Sequence, residues 1–164
     1  MFLNPFVSKR IYHLSKLLIY NALEARLGGN GMDEETVQFK VAHNRKYSTD
    51  HLWYQEKDDR LMIGVSEFLK FEIGEVLRII LPQAETEVDE GDGMFSIWTA
   101  EEKLPFAAPF SGLITDVNGE VEYSPHLANE SPYDLGWIII LEPHNIDLEL
   151  LLDPDEYVDY LAEL

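Results

Sequence analysis

Apolar positions follow two regimes along this chain, and the change between them divides it. Ile11, Leu14, Leu18, Ala22 and Ala25 recur at intervals of three and four, with Lys9, Arg10, Lys16, Asn21 and Arg26 among the other positions. That spacing predicts a basic amphipathic helix. The run Gly28-Gly29-Asn30-Gly31 ends it, because glycine and asparagine accept the left-handed backbone at a helix terminus, and it also makes a joint. Residues 1–31 are therefore expected as an N-terminal unit and residues 32–164 as a domain.

From Val37 onward the pattern is one of short apolar runs separated by turn residues. Val37-Phe39-Val41 alternates with polar positions, as a half-buried strand does. Leu52-Trp53-Tyr54 and Arg60 to Gly64 flank the polar cluster Glu56-Lys57-Asp58-Asp59, which predicts a hairpin. Val65 to Phe71 suits a short helix, and Val76 to Leu81, stopped by Pro82, a buried strand. Met94 to Trp98 and Phe106 to Ala108 read as the arms of a second hairpin whose tip runs from Thr99 to Pro105. Ile114, Val117 and Val121 continue the sheet, and Trp137 to Leu141 is its most apolar strand, with Trp137 deeply buried. Asp153-Pro154-Asp155-Glu156 predicts a capped C-terminal helix, with Tyr157, Tyr160 and Leu161 on its buried face after a lead-in at Leu150 to Leu152.

Charge narrows the function classes. The chain has 31 acidic and 12 basic residues, a net charge of −19, while residues 1–31 alone are net basic. So acidic a domain repels phosphate backbones, which argues against nucleic acid and leaves protein subunits with basic surfaces, or simple solubility, as the meaning of the charge. The basic leader supports three readings: a mitochondrial presequence, a docking helix, or a weak membrane-surface contact limited to residues 1–31. The first implies a mitochondrial location, and otherwise a cytoplasmic one is expected.

There is no cysteine, so disulfide and thiolate chemistry are excluded. The five acids from Glu85 to Asp92 do not follow the Asp-x-Asp-x-Asp-Gly order of a calcium loop, and read as a solvated strand connection. His13, His43, His51, His126 and His144 have no ligand spacing. No nucleophile is paired with a base, so no catalytic residue and no metal site is expected, and the chain is read as a non-enzyme.

Several local stretches, in order, carry a resemblance. Tyr47-Ser48-Thr49-Asp50-His51-Leu52-Trp53 comes first, followed by Ile63-Gly64-Val65-Ser66, Ile73-Gly74-Glu75, Leu81-Pro82 and Pro109-Phe110-Ser111-Gly112. The most specific is Ser124-Pro125 to Asn129, continuing through Pro132-Tyr133 to Gly136-Trp137. Together they resemble the glycine cleavage H-protein family, carriers of a lipoyl group. The resemblance implies a β-rich α+β fold, the lipoyl/biotinyl-type barrel-sandwich hybrid with flanking helices, and a short helix over Val65 to Phe71. It also implies that the carrier's lysine stands ten residues past Gly91 and eight before Pro109, and both counts reach Glu101.

A carboxylate at that position cannot form the amide that attaches lipoate to a lysine amine. Beyond Lys70 the chain has one lysine, Lys103, two residues further on. In a strand that displacement keeps the face and moves the amine about 7 Å. The resemblance and the substitution together imply a domain without cofactor, acting as a binding, scaffold or accessory subunit of a larger assembly. Trp98, Glu101, Glu102 and Phe106 are its candidate contact residues, since large aromatics concentrate in interface centres. The alternative keeps the chain in glycine cleavage or lipoate metabolism, modified at Lys103 or acting as an unmodified decoy.

Overall fold

Two sheets and four short helices enclose a core in the computed structural model, which describes residues 40–164. The helix expected over 1–31 and positions 37–39 of the first expected strand lie outside the described residues. The strands are β1 (Lys46–Tyr47), β2 (Leu52–Lys57), β3 (Arg60–Val65), β4 (Arg78–Ile80), β5 (Thr86–Val88), β6 (Gly93–Trp98), β7 (Lys103–Ala107), β8 (Gly112–Val117) and β9 (Ile139–Pro143). The helices are α1 (Glu67–Ile73), α2 (Gly119–Tyr123), α3 (Leu127–Glu130) and α4 (Pro154–Ala162). One antiparallel sheet has the order β1-β2-β3-β9-β8-β5 and the other β4-β6-β7. The architecture is β-rich with flanking helices, as expected from the sequence, and its two sheets are left open rather than closed into a barrel.

The hairpin of β2 and β3 turns through Asp58 and Asp59, both at positive φ (56° and 63°). Two such residues give the twist that a two-residue hairpin needs. At its base β2 buries both faces. Leu52 and Tyr54 enter the main core between the sheets, while Trp53 packs on the other side with Tyr47, Phe68, Tyr157, Val158 and Leu161. A second apolar cluster under α4 thus explains why Leu52-Trp53-Tyr54 is a continuous apolar run instead of an alternation. Gly64 stands directly opposite Trp53, and a methyl group there would lie 2.6 Å from the indole, so the ring's seat depends on the missing side chain.

The capping prediction at Asp153 holds in detail. Its Oδ1 accepts from the Glu156 backbone N–H at 2.8 Å, and the Glu156 carboxylate accepts from the Asp153 N–H at 2.9 Å, with Pro154 in the first turn. Tyr157, Val158 and Leu161 form the buried face; Val158 takes the place the sequence assigned to Tyr160, which is only half-buried. The Tyr157 ring stacks on Tyr47 at 4.3 Å, and its hydroxyl meets His51 Nδ1 at 2.8 Å and Ser66 Oγ at 2.9 Å. This buried network ties the last helix to the turn before β2 and to the N-cap of α1.

Four expectations are corrected. Val121 is buried in α2, not in a strand. Between Val76 and Leu81 only Arg78–Ile80 is strand; Val76 and Ile79 are buried, while Leu77, which lies before the strand, is 52 % exposed. Trp137 is half-buried and precedes β9, which starts at Ile139; its carbonyl accepts from Asn118. Trp53, not Trp137, is the fully buried indole. The hairpin tip is also shorter than expected, since Leu104 and Pro105 pair with Ile97 and Ser96 inside the ladder.

Two outcomes follow. Trp53→Ala removes a fully buried indole and its Nε1–H bond to the Pro132 carbonyl, and is expected to cost about 3–5 kcal/mol in denaturant unfolding. A loss below about 1 kcal/mol would contradict the second core. His51 is fully buried, and burial pushes its imidazole down to about 3. Between that value and the ordinary 6.5, the unfolded chain takes up a proton that the folded one refuses. His51 therefore lowers stability as pH falls through this window, by up to about 1.4 kcal/mol per pH unit. Its ring resonances should not titrate between about pH 8 and pH 5; a midpoint near the ordinary histidine value would contradict this environment.

Candidate functional site

The hairpin of β6 and β7 is built by its inner face. Phe95 and Phe106 stack at 5.2 Å, and with Met94 and Ile97 they are buried in the main core. The pleat then turns Ser96 and Trp98 outward. Phe106 is 3 % exposed and directed into the core, so it offers no contact surface; its role is to fix the hairpin.

The turn occupies Thr99 to Glu102. Thr99 N–H donates to the Glu102 carbonyl at 2.9 Å, closing a four-residue turn. The Thr99 hydroxyl oxygen accepts from the N–H groups of Glu101 and Glu102 at 3.3 and 3.2 Å. Both glutamates are exposed. Glu101 therefore stands in a turn rather than in a strand, so the relation between positions 101 and 103 is not the simple two-residue step of a pleated ribbon.

Lys103 opens β7 directly opposite Trp98, and Arg78 of β4 lies opposite Trp98 on its other side. The Lys103 ammonium lies 4.1 Å from the indole centroid and the Arg78 guanidinium 5.1 Å. Each is a cation–π contact worth about 0.5–1 kcal/mol at an exposed site. The indole N–H donates to Ser96 Oγ at 3.2 Å. Trp98 is thus neither core nor bare: it is half-buried on the outer face of the small sheet, between two cations.

Beside the turn, a groove of about 370 Å³ is bounded by α1's C-terminal end and by Thr99 to Glu102. Gly74 ends α1 with φ of 80°, a conformation that favours glycine, and redirects the chain toward β4. Asn129 of α3 holds that bend: its Oδ1 accepts from the Val76 N–H at 2.9 Å and its Nδ2 donates to the Gly74 carbonyl at 3.3 Å. Among the described residues no cluster of three or more histidines or acids is placed to hold a metal ion. No helix among them is long and apolar enough to cross a membrane.

The family model described as Glycine cleavage H-protein matches residues 45–164. The chain belongs to the glycine cleavage H-protein family. It is 35 % identical over 119 residues to the glycine cleavage system H protein of Staphylococcus epidermidis, an alignment covering 72 % of this chain and 94 % of that protein. It is 36 % identical over 133 residues to the probable glycine cleavage system H protein of Thermococcus kodakarensis, covering 79 % and 98 %. A crystal structure of a glycine cleavage system H protein from Mycobacterium marinum superposes with a TM-score of 0.67 at 23 % identity, covering 73 % of this chain and 98 % of that one. H-proteins are carriers and not enzymes, and the chain is a non-enzyme by membership.

The H-protein frame explains the Ser124 to Trp137 stretch as scaffolding. The Pro132 carbonyl accepts from Trp53, and the Tyr133 hydroxyl accepts from the Glu67 N–H at the start of α1. Gly136 passes so close to α3 that a Cβ would lie 2.5 Å from the Leu127 carbonyl oxygen. His51 likewise belongs to the α4 network, beside Tyr157 and Phe68. The turn, Trp98 and Lys103 are legible in the sequence, whereas the places of Arg78 and Asn129 are not. Arg78 was hidden in an apolar run, and its charge at a strand position was the available signal; Asn129 was visible only as a motif letter.

If Lys103 is held on Trp98 by a single exposed cation–π contact, a double-mutant cycle with Lys103→Ala and Trp98→Ala should give a coupling of about 0.5–1 kcal/mol. Zero coupling in denaturant unfolding would mean that the amine is not held there.

Proposed function

We propose that this H-protein domain works without a lipoyl arm, as a binding or accessory subunit of a larger protein assembly. The observation that supports it most is the residue at the hairpin turn. Glu101 is exposed in a well-formed turn, where the family resemblance calls for a lysine amine. The turn's frame is intact: its closing bond, the buried Phe95–Phe106 pair beneath it and the bend at Gly74 are all present. A carboxylate there presents charge to a partner and no nucleophile for acyl transfer. Glu75, Glu101 and Glu102 border one groove, so a partner with a basic contact surface is the complementary one.

A second reading, in which the chain is modified at Lys103, draws on that residue's exposure. Against it stands the position of the amine, over an indole at the start of a strand and not at the turn. Intact mass spectrometry after co-expression with a lipoate ligase and lipoate separates the two. The expected spectrum shows the unmodified mass. A gain of one lipoyl group that disappears in Lys103→Ala would overturn the proposal and leave the modified carrier. Should the unmodified chain capture lipoylating or glycine-decarboxylating enzymes, the decoy form of the second reading would replace the accessory subunit.

A further inference from the structure

The described chain begins beside a second groove. Lys40 donates its backbone N–H to the carboxylate of Glu67, in the first turn of α1, and its carbonyl accepts from the Tyr133 hydroxyl at 2.7 Å. Glu67 in turn lines a groove of about 670 Å³ that runs along α1 to His126 and Glu130. Phe71, Gly74 and Glu75 border both this groove and the one that reaches the hairpin turn, so the two are continuous. Phe71 and Leu77 give the combined floor apolar surface, 36 % and 52 % exposed. Its rim is acidic, with Glu67, Glu75 and Glu130 along one stretch and Glu101 and Glu102 at the far end, against one cation, Lys70.

We propose that the basic amphipathic stretch from Lys9 to Arg26 of this same chain seats in that groove, its apolar stripe on Phe71 and Leu77 and its cations facing Glu67, Glu75 and Glu130. Three observations select this occupant. The segment carries Lys9, Arg10, Lys16 and Arg26 against the lone acid Glu24, the opposite sign to the rim. Its chain path arrives at the groove, because Lys40 is bonded to a residue that lines it. The stretch between Arg26 and Lys40 spans up to roughly 45 Å when extended, enough to place the segment anywhere along the groove. Exposed ion pairs are individually weak, but a tethered segment has an effective concentration in the millimolar range, so a modest apolar contact is enough. The seated segment would share the groove that Glu75, Glu101 and Glu102 border, so it would compete there with a basic partner approaching the hairpin turn.

The chain has no cysteine, so introduced pairs report without background. Leu18→Cys combined with Leu77→Cys, or with His126→Cys as a second solvent-exposed probe, is compared in the full chain with Leu18→Cys plus Lys57→Cys at the exposed end of β2. Under mild oxidation the groove pairs should close at least about tenfold faster than the control pair, reflecting their higher local concentration. Glu75→Lys with Glu130→Lys, or salt near 0.5 M, should bring the rate down toward the control by reversing or screening the rim charge. Equal rates for groove and control pairs would overturn the proposal, as would an advantage insensitive to both charge reversal and salt. Recovery of the mature protein beginning near Gly31 would also overturn it, because a removed presequence occupies nothing.

Discussion

Everything at the candidate site depends on which side of the β6–β7 hairpin faces inward. Phe95, Ile97 and Phe106 belong to the core between the two sheets, and the pleat leaves no choice for their neighbours. Shifting the register by one residue would drive Trp98 and Lys103 inward and the phenyl rings into water, at a cost of several kcal/mol. The core therefore fixes the ladder, the ladder ends at Trp98 and Lys103, and the next four residues form the turn. Glu101 reaches its exposed place through apolar packing in which it takes no part.

The surrounding fold keeps that hairpin still. Behind it, the large sheet is closed on its outer face by α4, whose Tyr157 joins His51, Ser66 and Tyr47 in one buried cluster. Beside it, Asn129 pins the Gly74 bend and Tyr133 receives the N–H of Glu67, so α1 and the groove wall are held by the Ser124 to Trp137 stretch. A carrier needs such a rigid platform to present a modified side chain. A binding subunit needs it equally, because a preorganised surface loses less entropy when a partner orders it.

Much of this was legible in the sequence, and for identifiable reasons. Asp153-Pro154-Asp155-Glu156 is a local signal that acts through bonds within one turn, and it appears as written. The ordered motif stretches located the family because their glycines and prolines answer to backbone geometry, as Gly64 against Trp53 and Gly136 against Leu127 show. The misplacements were tertiary. Trp137 sat next to an apolar run but outside the strand, while Trp53 was buried by α4, which lies a hundred residues later in the chain. Phe106 read as a surface aromatic because pairing with Phe95 cannot be seen without the register. Val121 follows Ile114 and Val117 at spacings of three and four rather than two, and Asn118 caps a helix there.

We propose that this domain keeps the platform of a carrier without its amine. This is tested most directly by restoring the amine. Glu101→Lys, co-expressed with a lipoate ligase and lipoate, should gain one lipoyl group mapped by peptide mass to position 101. The fold should be unchanged by that modification, since the side chain at 101 is exposed and its own carboxylate makes no contact that holds the turn. A Glu101→Lys protein that folds normally and stays unmodified would show that position 101 is not the carrier position, and would remove the basis for reading this domain as a carrier without its arm.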